Sequence, residues 1–382
     1  MTHLMARRGR VATPPAGHRA PSNGSLSLLL GIRARKGRTP PVPKGGGPSS
    51  IDMFKLPERQ RPIRVGFYLA RRFSILPFIN AVDPLRMANR LSNRTLFEWR
   101  FISSDGKPVE AINGMTIMVD LPLEEAGFIP NVVCCVGFDP IIEVRDPVKS
   151  WLRKLNSMGA HLGALGAGTL FLAEPGLLNG YRATIHWQYR DSLVERFPDI
   201  KVTRNVFEID RNRFTCAGGT AAMDMMLHAI GLQFGHALAA AVSDEFVTGE
   251  VREPSSHQRL SYRTRLGLTD LKILRVIDFM ERHIEDPIGL PLLAEKADMS
   301  QRQMERLFKS QVQMSPIRFY TRLRLQQARR LLHQSDMSVL EAAVASGFRT
   351  AEHFSRSYKS EFGVSPTEDR RIVRGLGSLD RT

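Results

Sequence analysis

Cysteine is scarce in this chain: Cys134, Cys135 and Cys216 are the only three in 382 residues. They sit in apolar runs, with no CxxC spacing and no paired histidines. This excludes a disulfide framework and a cysteine-based metal site, and it suits a reducing, cytosolic compartment. Long apolar runs are also missing. Nothing approaches the roughly 20 residues that a membrane helix needs, so no membrane partner is expected. Residues 26–32 are apolar, but they run straight into Arg33, Arg35, Lys36 and Arg38 without a small-residue cleavage site, which argues against a secretory signal. Residues 163–168, GALGAG, space their glycines as GxxGxG rather than GxGxxG, so a dinucleotide fingerprint is absent and no cofactor is expected.

Acidic charge is in deficit overall, with a net charge of +16, but unevenly so. Residues 1–62 hold 12 Lys/Arg against 2 Asp/Glu, residues 63–254 hold 20 against 21, and residues 255–382 hold 22 against 15. The middle is neutral. The two basic regions therefore need separate explanations, and only the C-terminal one belongs to sequence that folds into a surface able to meet a phosphate backbone.

Residues 1–60 are rich in Arg, Pro, Gly and Ser and carry too little apolar surface to offset the entropy of ordering, so a disordered basic tail is expected. Two further readings of this stretch stay open: translation from Met53, and a basic arm that touches DNA. From residue 61 to 250, short β-rich runs alternate with helical ones. RVGFYLA precedes a helix over 80–91, and FEWRFISS follows it. NVVCCVGF precedes a helix from about Asp146, HLGALGAG one opening near Gly168, and RFTCAGG one over 223–234. Apolar strands each followed by a helix predict an α/β domain with a flavodoxin-like parallel sheet covered on both faces. A polar, arginine-rich linker is expected over 251–268, an all-α domain over 269–372, and a tail over 373–382.

The all-α region says nearly the same thing twice. AEKADMSQRQMERLFKSQVQMSP, ending at Pro316, is echoed by VASGFRTAEHFSRSYKSEFGVSP, ending at Pro366, and the offset of 50 holds without a gap. Each copy predicts a short helix, a turn and a second helix N-capped by a hydroxyl, Ser300 or Thr350. Leu271, Leu274, Ile277 and Met280 mark the inner face of an entry helix. Leu290, Leu293, Ala294 and Ala297 mark the first helix of unit one, and Leu340, Ala343 and Val344 that of unit two. Met304, Leu307 and Phe308 face inward on the second helix of unit one, Phe354 and Tyr358 on that of unit two. Outward residues are then Gln301, Arg302, Glu305, Arg306 and Lys309, and Ala351, Glu352, His353, Ser355, Arg356 and Lys359. Such helices enter the major groove, where Arg pairs with guanine and other cations grip phosphate. Two on one chain address faces about one helical turn apart.

The runs SQRQMERLFK and ASGFRTAEHFSRSYKSEFGVSP resemble the AraC/XylS-type DNA-binding domain. That resemblance places Arg302, Glu305 and Arg306, and Ala351, Glu352, His353, Ser355 and Arg356, where the family contacts bases or backbone. The middle domain, through HLGALGAGTLFLAEPGLLNGYRATIHW and CAGGTAAMDMMLHAIG, resembles the PfpI/ThiJ branch of class I glutamine-amidotransferase-like proteins over roughly residues 63–234. Enzymatic members carry a Cys on the sharp turn, commonly followed by His, with an acidic residue from an earlier loop. Here those positions are Gly166 and Ala167, with Asp83 at the acidic one. Glycine has no side chain to ionise, so thiol catalysis is not expected there. What remains is a pocket: the turn at Gly166, Ala167 and Gly168 suits a carboxylate, while Asp83, His186 and Trp187 suit a cationic group. Ordinary packing for His186 and Trp187, and helix capping for Asp83, are the alternatives.

The joint arrangement is similar to the GlxA group of transcriptional regulators, some of which answer to small zwitterions such as glycine betaine, carnitine or arginine. The resemblance implies a cytosolic homodimer that binds promoter DNA and a small-molecule effector and, as an activator, engages RNA polymerase. The rival readings are a thiol-dependent amidase or hydrolase with a DNA-binding appendix, and a ligand-independent architectural DNA protein whose middle domain serves only dimerisation. Removal of residues 1–52 is expected to leave promoter affinity unchanged in a gel-shift titration; a collapse in affinity identifies the tail as a working arm.

Overall fold

The computed structural model describes residues 53–56, 61–137, 144–249, 251–258, 264 and 266–379. Of the tail expected over 1–60, only 53–56 lie among these, and they are packed. Met53 and Phe54 are fully buried, with the Phe54 ring edge-on to Phe97 and Phe214. The Lys55 amide donates to Asn131 Oδ1 at 2.6 Å. Packed sequence thus begins before the expected boundary at 61, because the charged and Pro-rich neighbours of two apolar residues masked them in a composition average.

The α/β part is built on β1 (Ile63–Leu69), β2 (Phe97–Ser103), β5 (Leu121–Pro122), β6 (Asn131–Cys135), β7 (His161–Leu165), β10 (Phe207–Asp210) and β11 (Arg213–Cys216), in the order β10-β11-β7-β6-β1-β2-β5. Every pairing is parallel except β10 with β11. Small ribbons pair β3 (Val109–Glu110) with β4 (Thr116–Ile117), and β8 (Arg182–Ala183) with β9 (Lys201–Val202). The two faces are read off by alternation. Val133 and Cys135 of β6 join Val65, Phe67 and Phe214 under α1 (Ile75–Ser92), while Val132 and Cys134 join Tyr68 and Leu162 under α2 (Asp146–Ser157) and α3 (Thr169–Ala173). Helix α1 starts earlier than the expected 80, because Pro77 falls in its first turn, where the missing N–H has no helical partner to lose. Then come α4 (Arg190–Arg196), α5 (Ala221–Phe234) and α6 (His236–Glu245).

The helical part comprises α7 (Leu271–Arg282), α8 (Leu290–Lys296), α9 (Gln301–Leu307), α10 (Pro316–Gln334), α11 (Val339–Val344), α12 (Ala351–Phe362) and α13 (Pro366–Leu379). It holds two cores. Phe319, Tyr320 and Leu323 of α10 complete the first, with Ile273, Ile277, Met304 and Phe308; Leu325, Ala328, Leu331 and Leu332 complete the second, with Ala343, Phe354 and Tyr358. Two expected faces are corrected. On α7 the buried stripe is Ile273, Val276, Ile277 and Met280, and Leu271 is exposed; on α11 Ala342 and Ala343 go inward while Leu340 and Val344 face out. On α7 Ile277 and Met280 are buried as expected and only the first turn differs; on the short α11 a one-position rotation suffices, since hydrophobicity alone weighs Ala below Leu although Ala fits a tight helix crossing better.

The two units meet at Gly347. Its φ is +75°, and a Cβ there would stand 2.5 Å from the Ile284 carbonyl oxygen and within 2.8 Å of the Pro287 ring. The Arg324 guanidinium donates to the carbonyls of Ser346 and Gly347, which fixes the turn against α10. Gly347→Ala is expected to lower stability by about 1–3 kcal/mol, as overpacking does, measured by thermal melting; an unchanged midpoint would contradict this close approach.

Candidate nucleic-acid interface and ligand site

Each second helix starts from a hydroxyl cap. Ser300 Oγ accepts the Gln303 amide at 3.2 Å while Gln303 Oε1 accepts the Ser300 amide at 2.9 Å, a reciprocal capping box for α9. Thr350 Oγ1 accepts the His353 amide at 3.3 Å for α12. Met304 and Phe308, and Phe354 and Tyr358, are buried, with Leu307 half-buried. Their burial leaves Gln301, Arg302, Glu305, Arg306 and Lys309 exposed on the first unit. On the second, Ala351, Glu352, His353, Arg356 and Lys359 are exposed and Ser355 is half-buried. Gln301 donates to Glu305 at 3.2 Å, the Arg356 Nε donates to the Glu352 carbonyl at 3.4 Å, and the His353 ring lies 5.6 Å from that of Phe348. The copies differ past the reading helix: residues 308–312 widen into a π-helical stretch, whereas α12 runs regularly to Phe362.

Asp369 ties the second unit together. It accepts the Tyr358 hydroxyl at 2.7 Å and pairs with Arg329 at 2.8 Å, with the His333 ring nitrogen 3.2 Å away. Burial opposes its charge, but the Tyr358 and Arg329 hydrogen bonds outweigh that and hold the carboxyl below its ordinary range. Helix α12 is thereby fixed to the last turns of α10.

In the α/β part, β7 ends at Leu165 and the chain turns sharply at Gly166, with φ +61°, into a tight turn over Gly166–Gly168 and then α3. A Cβ on Gly166 would make only ordinary contacts, 3.7 Å from Gly218 Cα at the nearest, so the turn keeps room for a side chain it lacks. At Gly168 a Cβ would stand 2.7 Å from the Cys134 carbonyl oxygen, and glycine alone lets α3 approach β6. The Cys216 sulfur sits beneath this elbow and takes the amides of Gly218, at 3.4 Å, and Gly166. Burial pushes the Cys216 and Cys134 thiols up to about 12 and the Cys135 thiol well up too, so all three stay protonated at neutral pH and none supplies a thiolate. The Gly166 amide is thereby engaged within the fold.

Two other segments reach the elbow. Thr169 Oγ1 donates to the Thr184 carbonyl at 2.8 Å, which ties α3 to the strand end that leads into His186 and Trp187. The His186 ring is 5.5 Å from that of Trp187 and 6.4 Å from that of Tyr189, and burial lowers its pKa, so it is neutral at pH 7. On the other segment, Asn80 of α1 donates to the Gly219 carbonyl at 3.1 Å, beside the Gly218–Gly166 contact. Asp83, one turn on, pairs with Arg86 at 2.6 Å on the exposed side of α1. Neither Asn80 nor Cys216 was assigned to the elbow from the sequence; the i, i+3 spacing of Asn80 and Asp83 was the available clue to the first, and the block CAGGTAAMDMMLHAIG, which Cys216 opens, was that to the second. Among the described residues no group of His, Cys, Asp and Glu could hold a metal, and no helix is long and apolar enough to cross a membrane.

Comparison with known proteins bears on both halves. The DJ-1/PfpI family model matches residues 64–231 and the helix-turn-helix domain model matches residues 293–372. The HTH-type transcriptional regulator CdhR of Pseudomonas aeruginosa is 44% identical over 307 residues, covering 80% of this chain and 91% of the relative. GbdR of the same species is 39% identical over 315 residues, 82% of this chain and 86% of the relative, and GlxA of Rhizobium meliloti 35% over 311, covering 81% and 95%. These relatives carry the names of regulators, not of enzymes, in keeping with an elbow that has glycine where a nucleophile would stand. The chain belongs to the HTH-type transcriptional regulators that join a DJ-1/PfpI-type domain to an AraC-type helix-turn-helix domain.

Proposed function

We propose that the chain is a cytosolic transcription factor that binds promoter DNA through α9 and α12, senses a small zwitterion at the Gly166 elbow, and activates transcription as a homodimer that engages RNA polymerase. The observation that carries the DNA-binding reading is the pair of hydroxyl-capped helices, each with buried apolar residues on one face and Arg on the other. Arg302, Arg306 and Arg356 are the base readers, since a guanidinium matches guanine bidentately. Lys309 and Lys359 are assigned to phosphate, with Ser300, Gln301 and Thr350 at the helix N-termini, where amides and helix dipole favour an anion. Glu305, Glu352, His353 and Ser355 add polar edge contacts, and Ala351 offers a methyl group to thymine.

For the effector, the amides of Ala167 and Gly168 at the start of α3 favour a carboxylate. Asp83, released from Arg86, and the Trp187 ring favour a quaternary ammonium or guanidinium, with neutral His186 as a hydrogen-bonding wall. The ligand class follows from that pairing of an anion site with a cation site. Three fully buried, protonated thiols leave the hydrolase reading without a nucleophile.

Arg306→Ala and Arg356→Ala are each expected to weaken specific binding by about 1–3 kcal/mol and to relax base preference. In competition binding against single-base operator variants, weaker affinity with the preference intact reassigns that residue to phosphate. Glycine betaine, carnitine and arginine are to be titrated while the thermal midpoint is followed. One of them is expected to raise it in proportion to the logarithm of concentration above Kd. Asp83→Asn and Trp187→Ala should abolish that rise; a rise surviving both substitutions moves the ligand away from the elbow.

A further inference from the structure

The last turn of α10 has two gripping faces. Arg329 holds Asp369 and with it the second unit, with His333, four residues on, packed against the same carboxylate. Arg330 and Gln334, the neighbouring i, i+4 pair, are held by the α/β part instead. Ser192 Oγ of α4, itself buried, donates to the Gln334 carbonyl at 2.7 Å. Asp191 lies 3.7 Å from the Arg330 guanidinium, whose carbon is 6.0 Å from the Trp187 ring centroid. One helical turn thus carries both the anchor of α12 and the seat of α4.

The segment leading into α4 is in turn bonded to the elbow. Thr169, three residues past Gly166, bonds the Thr184 carbonyl. The linker strengthens the same place: the Gln258 amide nitrogen lies 2.8–3.0 Å from Thr184 Oγ1 and the carbonyls of Ile185 and Asn205, and all three are acceptors. Upstream, Arg252 pairs with the 9%-exposed Asp224 side chain at 2.6 Å and donates to Thr220 Oγ1 at 2.7 Å, directly after Gly218 and Gly219. The covalent linker therefore lies bonded to residues on both sides of the turn, and α4 touches the reader.

We propose that residues 184–192 are a coupling lever, which transmits the state of the Gly166 elbow through Asp191 and Ser192 to the last turn of α10 and so to the placement of α12. The elbow as effector site comes from the reading above, but the lever itself is testable without any ligand. An ion pair with both side chains about one-quarter exposed is too weak to weld two domains permanently, which is what a reversible contact requires.

The test is hydrogen exchange of the amides of residues 328–334 in the full-length chain. Asp191→Lys and Arg330→Glu are each expected to speed exchange there threefold or more, within the range for coupled contacts, and the reversed pair Asp191→Lys/Arg330→Glu to restore it. Thr169→Val, at the far end of the lever, should produce the same acceleration, Thr169→Ser should not, and Thr169→Val in the Arg330→Glu background should add nothing further. Charge reversals without effect would show that the contact is not made in solution. A silent Thr169→Val, or effects that add independently, would overturn the lever while leaving the contact. Failure of betaine, carnitine and arginine to shift the thermal midpoint bears on the effector reading alone and leaves this cycle intact.

Discussion

Helix Pro316–Gln334 is a member of two cores at once, and the geometry of the reader follows from that sharing. At 19 residues it spans about 28 Å, with Phe319, Tyr320 and Leu323 seated in the first unit and Leu325 to Leu332 in the second. Neither unit is large enough to bury its apolar face alone, so each depends on this helix, and the helix fixes their separation. The Gly347 approach to Ile284 and the Arg324 bonds to Ser346 and Gly347 remove the remaining freedom between the units. With the units locked, the backbones of α9 and α12 keep one relative placement, and no rigid-body freedom between the units is left to lose on binding.

The α/β part illustrates how an enzyme scaffold serves a regulator. The strand, sharp turn and helix at Gly166 persist with the strained positive φ that elsewhere lifts a nucleophile out of a sheet. What has changed is the side chain, and with it the chemistry: a Gly elbow over a protonated, buried Cys216 offers amides and volume instead of a thiolate. A turn of this kind at the carboxyl ends of parallel strands is a crevice suited to small ligands. Its position next to the linker contacts at Thr184 and Thr220 puts the elbow close to the point where the two halves join.

Much of this was legible from residue order alone. The offset of 50 between Ser300 and Thr350 exposed the tandem plan, because identical local chemistry at fixed spacing has few explanations other than repeated structure. The strands were legible because runs such as NVVCC are buried on both faces. The departures share one cause, which is that they depend on contacts distant in sequence. Met53 and Phe54 look like tail until the pocket formed by Phe97 and Phe214 exists. The antiparallel edge strand β10 follows from a short return after Asp210 that apolar patterning does not distinguish. Leu340 and Val344 outrank Ala342 in hydrophobicity, yet Ala is what the crossing with α10 admits. For the site, Gly166 to Gly168 stood out as a motif, whereas Cys216, Asn80 and Gln258 reach it from 50 to about 90 residues away.

Methylation interference on a promoter fragment bound by the full-length chain tests the tandem reader most directly. The account predicts two patches of interfering guanines per chain, both in the major groove and centred about 10 base pairs apart, on one face of the duplex. A single patch, or a uniform weak pattern that vanishes with salt and shows no sequence preference, would contradict it.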